Sequence, residues 1–274
     1  MKSRADYFRG KHRLRTKPGS NGPPQCLGLD GEGFDSGSVY SYMACSNTTH
    51  EVAICEDLRG LKTKDILDWL LELPHKPLKF GFSLGYDYTK WLADLPNDSL
   101  YLLCRPESRM PPEGEDGPPR PIDYYVKDAK GKVTDAYQLN LLGTRLSVQK
   151  FIGHGKLCDG HYCSGCKLGP KTVIWDVFKF FQSSFVKACL DWGVITAEEF
   201  ETLKAMKEKR PNFARPFPGP WGEASSHPEW LEIKRYCHLE TRKMAELAER
   251  LLDAHREAGL TLKQYFGAGS TGAA

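Results

Sequence analysis

The segment from Trp230 to Ala258 constrains the fold more than any other. Its apolar residues Ile233, Tyr236, Cys237, Met244, Leu247, Leu251 and Leu252 recur at spacings of three and four. That pattern is a long amphipathic helix with one apolar stripe, which is stable only when the stripe is covered. The upstream chain offers strands for the purpose. Leu27 to Asp30, Val39 to Ser46 and Glu51 to Cys55 are short apolar or alternating runs joined by tight turns, and they predict an antiparallel meander. Thr63 to Leu73 predicts a helix with Thr63 as N-cap and Pro74 as its stop. Leu78 to Tyr88 reads as a strand that runs into a helix from Tyr88 to Leu95, with Asp87 at the junction. Residues 105–121, rich in Pro, Gly and Glu, read as an exposed loop. Tyr124 to Val126, Tyr137 to Leu142, Arg145 to Phe151 and Thr172 to Trp175 read as strands of hairpins. Asp176 to Trp192 follows as an amphipathic helix with an aromatic stripe. Thr196 to Met206 is a further helix, opened by a Thr196/Glu199 capping box. The expected class is α/β, a mixed sheet flanked by helices.

Composition bounds the function. A chain of 274 residues that is 40% hydrophobic and 27% charged is an ordinary globular protein of one large domain or one domain with an appendage. The net charge of +3 does not by itself indicate nucleic acid, although basic residues cluster in Arg4 to Lys17 and Lys204 to Arg215. Residues 1–25 are basic, rich in Gly and Pro and without periodicity, and read as a flexible arm. Pro211 to Pro220 reads as a linker or loop. No run of apolar residues is long enough to span a bilayer, and the charged N-terminus is unlike a signal peptide. The expectation is therefore a soluble cytoplasmic protein without a membrane partner. The nine cysteines are mostly scattered in apolar surroundings, which fits reduced thiols. One group is organised: Cys158, His161, Cys163 and Cys166 fall within nine residues and end in C-x2-C. These four are the candidate ligands of one structural Zn²⁺ in an insertion at 153–171, beside the reading of a reduced loop without metal.

Chemistry concentrates elsewhere. Leu27-Gly28-Leu29-Asp30-Gly31-Glu32-Gly33 ends in two carboxylates one residue apart. On a strand they project from one side, and two such oxygens repel unless a cation lies between them. Hard oxygen ligands suit Mg²⁺ or Mn²⁺, and the flanking glycines leave room for a substrate backbone. The same residue types are common in turns, so the decision rests on further carboxylates. Asp87 is one, at a strand end where ligands gather, although Asp is also a good N-cap. Tyr236 and Glu240 are another pair, i and i+4 on the long helix and so on one face. A carboxylate for an ion and a hydroxyl for an attacking water suit metal-assisted hydrolysis.

Together these segments resemble a known family. Asp30-Gly31-Glu32, Ser83-Leu84-Gly85-Tyr86-Asp87 and Tyr236-Cys237-His238-Leu239-Glu240 are similar to the three exonuclease motifs of family B DNA polymerases, above all the protein-primed phage and plasmid group. Asp176 to Phe185 and Phe266 to Ser270 resemble segments found between and after those motifs, so the resemblance covers roughly residues 26–270. It implies an RNase H-like fold over 26–260 and 3′ to 5′ exonuclease chemistry on single-stranded DNA. Two Mg²⁺ or Mn²⁺ ions would be held by Asp30, Glu32, Asp87 and Glu240, and Tyr236 would orient water. Tyr86 and Ser83 would lie at the primer 3′ end, with Lys207 or Lys209 as the assisting basic residue that binds DNA. Ser83 stands where the family usually has Asn, and Glu240 where it usually has Asp. Residues 261–274 read as a junction towards a polymerase domain in the parent chain or a partner chain, since no polymerase active site is recognisable here. The other reading is a degenerate exonuclease fold that binds single-stranded DNA or docks a partner without cleaving.

Overall fold

The structure, a computed structural model, describes residues 26–34, 39–49, 51–113, 115–152, 166–209 and 227–273. The basic arm, the linker 211–220 and the Cys-rich loop up to residue 165 lie outside them. The chain divides into two compact units: one from residues within 1–61, 76–90 and 175–274, the other from 62–75 and 91–174. Antiparallel and parallel neighbours both occur, so the expected mixed α/β class holds.

In the first unit β1 (Cys26–Phe34) pairs antiparallel with β2 (Val39–Ser46) and parallel with β4 (Leu78–Gly81), while β3 (Val52–Glu56) borders β2. The three-strand meander is as the turn spacing predicts. β1 runs further than its apolar residues suggest, because Asp30 and Glu32 still pair with Ala44 and Tyr42 before a register shift at Gly33. The long helix, Pro228–Glu257, lies on β1 and β2. Its N-terminal half buries Trp230, Ile233 and Cys237 against Tyr42, Ala44 and Leu58. Edge-to-face packing of Tyr42 on Trp230, centroids 5.7 Å apart, and a 2.6 Å hydrogen bond from the Trp230 indole to Glu56 fix that end.

The second unit contains α1 (Thr63–Glu72), α3 (Asn97–Cys104, the helix that follows α2 at Gly85–Trp91) and the meander β5 (Ile122–Lys127), β6 (Val133–Leu142) and β7 (Arg145–Ile152). A short strand β8 (Lys167–Leu168), not expected from the sequence, pairs with β7, and β9 (Thr172–Asp176) follows β7 in the strand order. Alternation sends Tyr137, Leu139, Leu146 and Val148 into the core beneath α1 and α3, leaving Gln138, Asn140 and Gln149 on the other face. Asp68 on α1 accepts hydrogen bonds from the Tyr137 hydroxyl and the Lys150 amine, each at 2.8 Å, and pairs with Lys64.

Several local expectations are corrected. Thr63 is not a cap: it opens α1, and its hydroxyl and amide instead form a reciprocal pair with the Asp94 backbone and carboxylate. α2 spans Gly85–Trp91, so Asp87 sits in its first turn and not at a strand-to-helix junction. The expected helix from Asp176 to Trp192 is two, α4 (Phe178–Phe181) and α5 (Phe185–Asp191), broken where Gln182 takes a left-handed φ of 50°. α6 (Ala197–Lys209) carries the expected capping box, with Thr196 and Glu199 bonded in both directions at 2.8 and 3.2 Å. The long helix is α7. The segment 105–121 is less loose than its composition implies, since it includes a 3₁₀ turn, Pro106–Arg109, and buries Arg109.

Candidate active site

The site lies within the first unit and begins with a close approach. A Cβ on Gly28 would collide with the Thr241 carbonyl, and would fall 2.6 Å from Met244 Cβ and 2.8 Å from Ala245 N. Only glycine lets α7 come down on β1 there. Asp30 and Glu32 follow Gly28 at intervals of two, so all three share the face that α7 covers. One turn before Met244, α7 therefore delivers Glu240 beside Asp30.

A cavity of about 520 Å³ opens at this place, lined by Asp30, Asp87 and Glu240 together with Ser83, Tyr86 and Lys207. Three separate segments thus bring carboxylates to one space. Glu32 does not line the cavity but adjoins it, and it is 3% exposed, against 6% for Asp87 and for Glu240. Carboxylate oxygens of Asp30 and Glu32 and the Cys237 sulfur all lie within 4.8 Å of one another. Atoms at that separation can share one ion, because ligand bonds to hard cations run roughly 2.0 to 2.6 Å. The donor set therefore fits a divalent cation, with a sulfur beside the oxygens.

Hydroxyls orient two of the carboxylates. Tyr236 donates to Glu240 Oε1 at 2.6 Å, the i to i+4 pairing expected from the helix. Tyr40 donates to Asp87 Oδ1 at 2.8 Å, and it reaches Asp87 because Gly31 lacks a side chain: a Cβ there would overlap the Tyr40 hydroxyl and approach its Cε2 to 3.0 Å. A Cβ on Gly33 would fall 2.6 Å from the Val39 carbonyl. The glycines flanking Glu32 thus make room for β2, not for a substrate backbone. Next to Tyr236 and Cys237, burial and the Lys234 ammonium hold the His238 imidazole below its ordinary pKa, and the ring pairs closely with the Tyr42 hydroxyl.

The turn before α2 is held from the far end of β9. Asp176 accepts from the amides of Ser83 and Leu84 at 2.8 and 2.9 Å, and from Phe178 at 3.0 Å. Ser83 pays for this geometry with a left-handed φ of 59°. Phe82 meets Phe178 and Phe185 edge to face at 5.5 and 5.4 Å, and the break between α4 and α5 places Gln182, Ser183 and Ser184 on the cavity wall. Tyr86 is 45% exposed beside them.

Most of the residues singled out from sequence therefore meet here: Asp30, Ser83, Tyr86, Asp87, Lys207 and Glu240 line one cavity, with Glu32 and Tyr236 bonded or adjacent to them. The Lys209 side chain is outside the described residues. So are Cys158, His161 and Cys163, while Cys166 is half-buried. Sequence reasoning missed Tyr40, Asp176, Cys237 and the Gln182 to Ser184 wall. A signal for the last existed in composition and not in periodicity, since Gln182, Ser183 and Ser184 are three consecutive polar residues inside an aromatic segment.

No family model and no curated protein matches the chain. Two solved structures are similar. Phi29 DNA polymerase in an orthorhombic crystal form matches 91% of this chain at 13% identity with a TM-score of 0.42. Phi29 DNA polymerase complexed with single-stranded DNA matches 91% at 13% identity with a TM-score of 0.39. The chain spans about a third of the length of those polymerases, 33% and 34%. Among the described residues no helix is long and apolar enough to cross a membrane.

Proposed function

We propose that the chain is the 3′ to 5′ exonuclease portion of a family B DNA polymerase, with an RNase H-like fold, removing nucleotides from the 3′ end of single-stranded DNA. The observation that carries this reading is the convergence of Asp30, Asp87 and Glu240, from three distant segments, on one cavity, with buried Tyr236 bonded to Glu240 behind its wall. These are the positions of the three motifs the sequence resembles. Asp30, Glu32, Asp87 and Glu240 would hold two divalent ions, which supply Lewis-acid stabilisation of the leaving 3′ oxygen and a nucleophile at neutral pH. The neighbouring Cys237 sulfur favours Mn²⁺ over Mg²⁺.

The chain's own groups do the rest. Tyr236 donates to Glu240 and still offers its oxygen lone pairs to a water proton, which orients that water towards the terminal phosphorus. Exposed Tyr86 stacks on the terminal base or sugar, and the Gln182 to Ser184 wall hydrogen-bonds the strand. Exposed Lys207 brings a cation to the phosphate, with Lys209 on the same helix as the other candidate. A polymerase domain, in the parent chain or in a partner chain, would supply the primer end within phage or plasmid replication in the cytoplasm.

The test is digestion of a 3′-labelled single strand by the purified chain with Mn²⁺, beside Asp30→Ala/Glu32→Ala and Tyr236→Phe. Stepwise mononucleotide release should vanish in the double variant and with EDTA. It should fall about 100-fold in Tyr236→Phe with Mn²⁺ binding retained. A wild type that binds the strand and the ion and releases nothing would overturn the exonuclease reading.

A further inference from the structure

The second unit has a groove of its own, about 310 Å³, which shares no lining residue with the acidic cavity. Its floor is the outer face of β6 and β7, where Gln138 lies opposite Gln149 and Asn140 opposite Ser147. Its wall is Pro118 to Pro121. That wall is fastened in place. Buried Arg109 donates to the Arg120, Leu102 and Leu141 carbonyls and to Asn140 Oδ1, and the Arg120 amide returns a 2.8 Å bond to the Arg109 carbonyl. Asn140 in turn donates to the Pro119 carbonyl. The groove is thus preformed, and a ligand entering it need not order a loop.

Its charge is one-sided. Among the described residues Arg120, Arg145 and Lys171 line it and no Asp or Glu does, the neighbouring Asp123 being bonded to Gln138. Burial pulls the Arg145 guanidinium below its ordinary pKa, as expected of a cation held partly out of water. Arg120 pairs with Glu115 at 3.3 Å, but both side chains are more than 60% exposed, and such a pair is readily exchanged for a stronger anion.

We propose that this groove binds the sugar-phosphate backbone of single-stranded nucleic acid, independently of sequence. The chemistry separates this ligand from an acidic peptide. Peptides are captured by adding a strand to a sheet edge, by burying side chains in apolar grooves, or against aromatic-lined grooves. Here the floor is a sheet face whose backbone groups are spent on strand pairing, and its side chains are amides and a hydroxyl, with no aromatic ring. What remains is the cations, which suit phosphodiester oxygens, and the guanidinium fork matches them in bidentate fashion. With no stacking platform in the groove, bases are not read. The proposal goes beyond the exonuclease reading and requires no cleavage.

The experiment is a salt titration of full-length chain against fluorescent oligo(dT) in EDTA, read by anisotropy. Arg145→Gln/Lys171→Gln should bind about 10-fold more weakly at low salt, and the slope of log affinity against log salt should fall by about 1.4, two contacts at about 0.7 each on a single strand. Arg145→Lys should keep the slope. Lys171→Glu and Arg120→Glu, at exposed positions, repeat the test if Arg145→Gln does not fold. An unchanged slope in these variants overturns the proposal. So does an oligo-glutamate peptide of equal charge that displaces oligo(dT) in an Arg145- and Lys171-dependent manner. Asp30→Ala/Glu32→Ala should leave this component intact, so failure of cleavage and failure of the groove are read separately.

Discussion

Gly28→Ala should disable the acidic site without touching any of its carboxylates. The new Cβ would start 2.6 Å from Met244 Cβ, whereas ordinary contact begins at 3.4 Å, so α7 must retreat from β1 by at least about 0.8 Å, and further to clear the Thr241 carbonyl. The Thr241 carbonyl and the Ala245 nitrogen are backbone atoms on the same helix and cannot swing aside, so the displacement is of α7 as a body. Forcing a methyl into a closed interface costs about 1 to 3 kcal/mol. Glu240 and Tyr236 ride on α7, and a shift near 1 Å at a catalytic constellation can cost about 100-fold in rate. Denaturant unfolding should report the first loss, and release of labelled 3′ nucleotide at saturating Mn²⁺ the second. Gly85→Ala is the control, because nothing lies within 4 Å of a Cβ there and the residue is helical. It should be neutral or stabilising by up to about 1 kcal/mol. If Gly28→Ala unfolds at the same denaturant concentration as Gly85→Ala, the account of how α7 reaches β1 is wrong.

Other perturbations probe the supports. Asp176→Ala should lose about 2 to 3 kcal/mol in denaturant unfolding, because one carboxylate satisfies three amides. Ser83→Val should lose about 1 to 2 kcal/mol at a left-handed φ of 59°, whereas Ser83→Asn should lose none, since Asn tolerates that conformation. Lys79 is 2% exposed and burial lowers its pKa to about 8, so between about 8 and 10.5 the unfolded chain binds the extra proton and stability rises with pH. Lys79→Met should therefore stabilise the protein by about 1 to 3 kcal/mol at pH 7 and flatten that rise. Burial alone would raise the Asp68 and Asp135 carboxyls, but hydrogen bonds from Lys150 and Lys64, and from Tyr137 to Asp68, hold both below the ordinary value. Their stabilisation is complete above the unfolded pKa of 3.8 and is lost as pH falls through it towards the folded values, so Lys150→Met should reduce the acid sensitivity of unfolding followed by circular dichroism.

What was legible in the sequence follows from distance along the chain. Asp30 with Glu32, and Tyr236 with Glu240, are local pairs whose spacing alone places them on one face of a strand or helix, and both pairs are found so placed. Asp87 was legible as a candidate, but its position in α2 was not, because the carboxylate that satisfies the preceding amides belongs to Asp176, far along the chain. The break at Gln182 was hidden for a different reason: Phe178, Phe181 and Phe185 keep helical spacing across it, and periodicity cannot register one left-handed residue.

The glycines make the same point more sharply. Gly31 and Gly33 read alike in the sequence, as room for a substrate around Glu32, and Gly28 reads as nothing more than part of an apolar strand. In the fold each is consumed by a different neighbour: Thr241 and Met244 of α7, the Tyr40 hydroxyl, and the Val39 carbonyl. None of these partners is within five residues of its glycine, so no local pattern could assign them. Yet they decide the site, because Gly28 sets how near Glu240 comes to Asp30 and Gly31 lets Tyr40 reach Asp87. The carboxylates carry the chemistry, and the missing side chains on β1 hold the carboxylates in register. A variant that restored every acidic residue on a strand without those glycines should therefore bind its ion poorly.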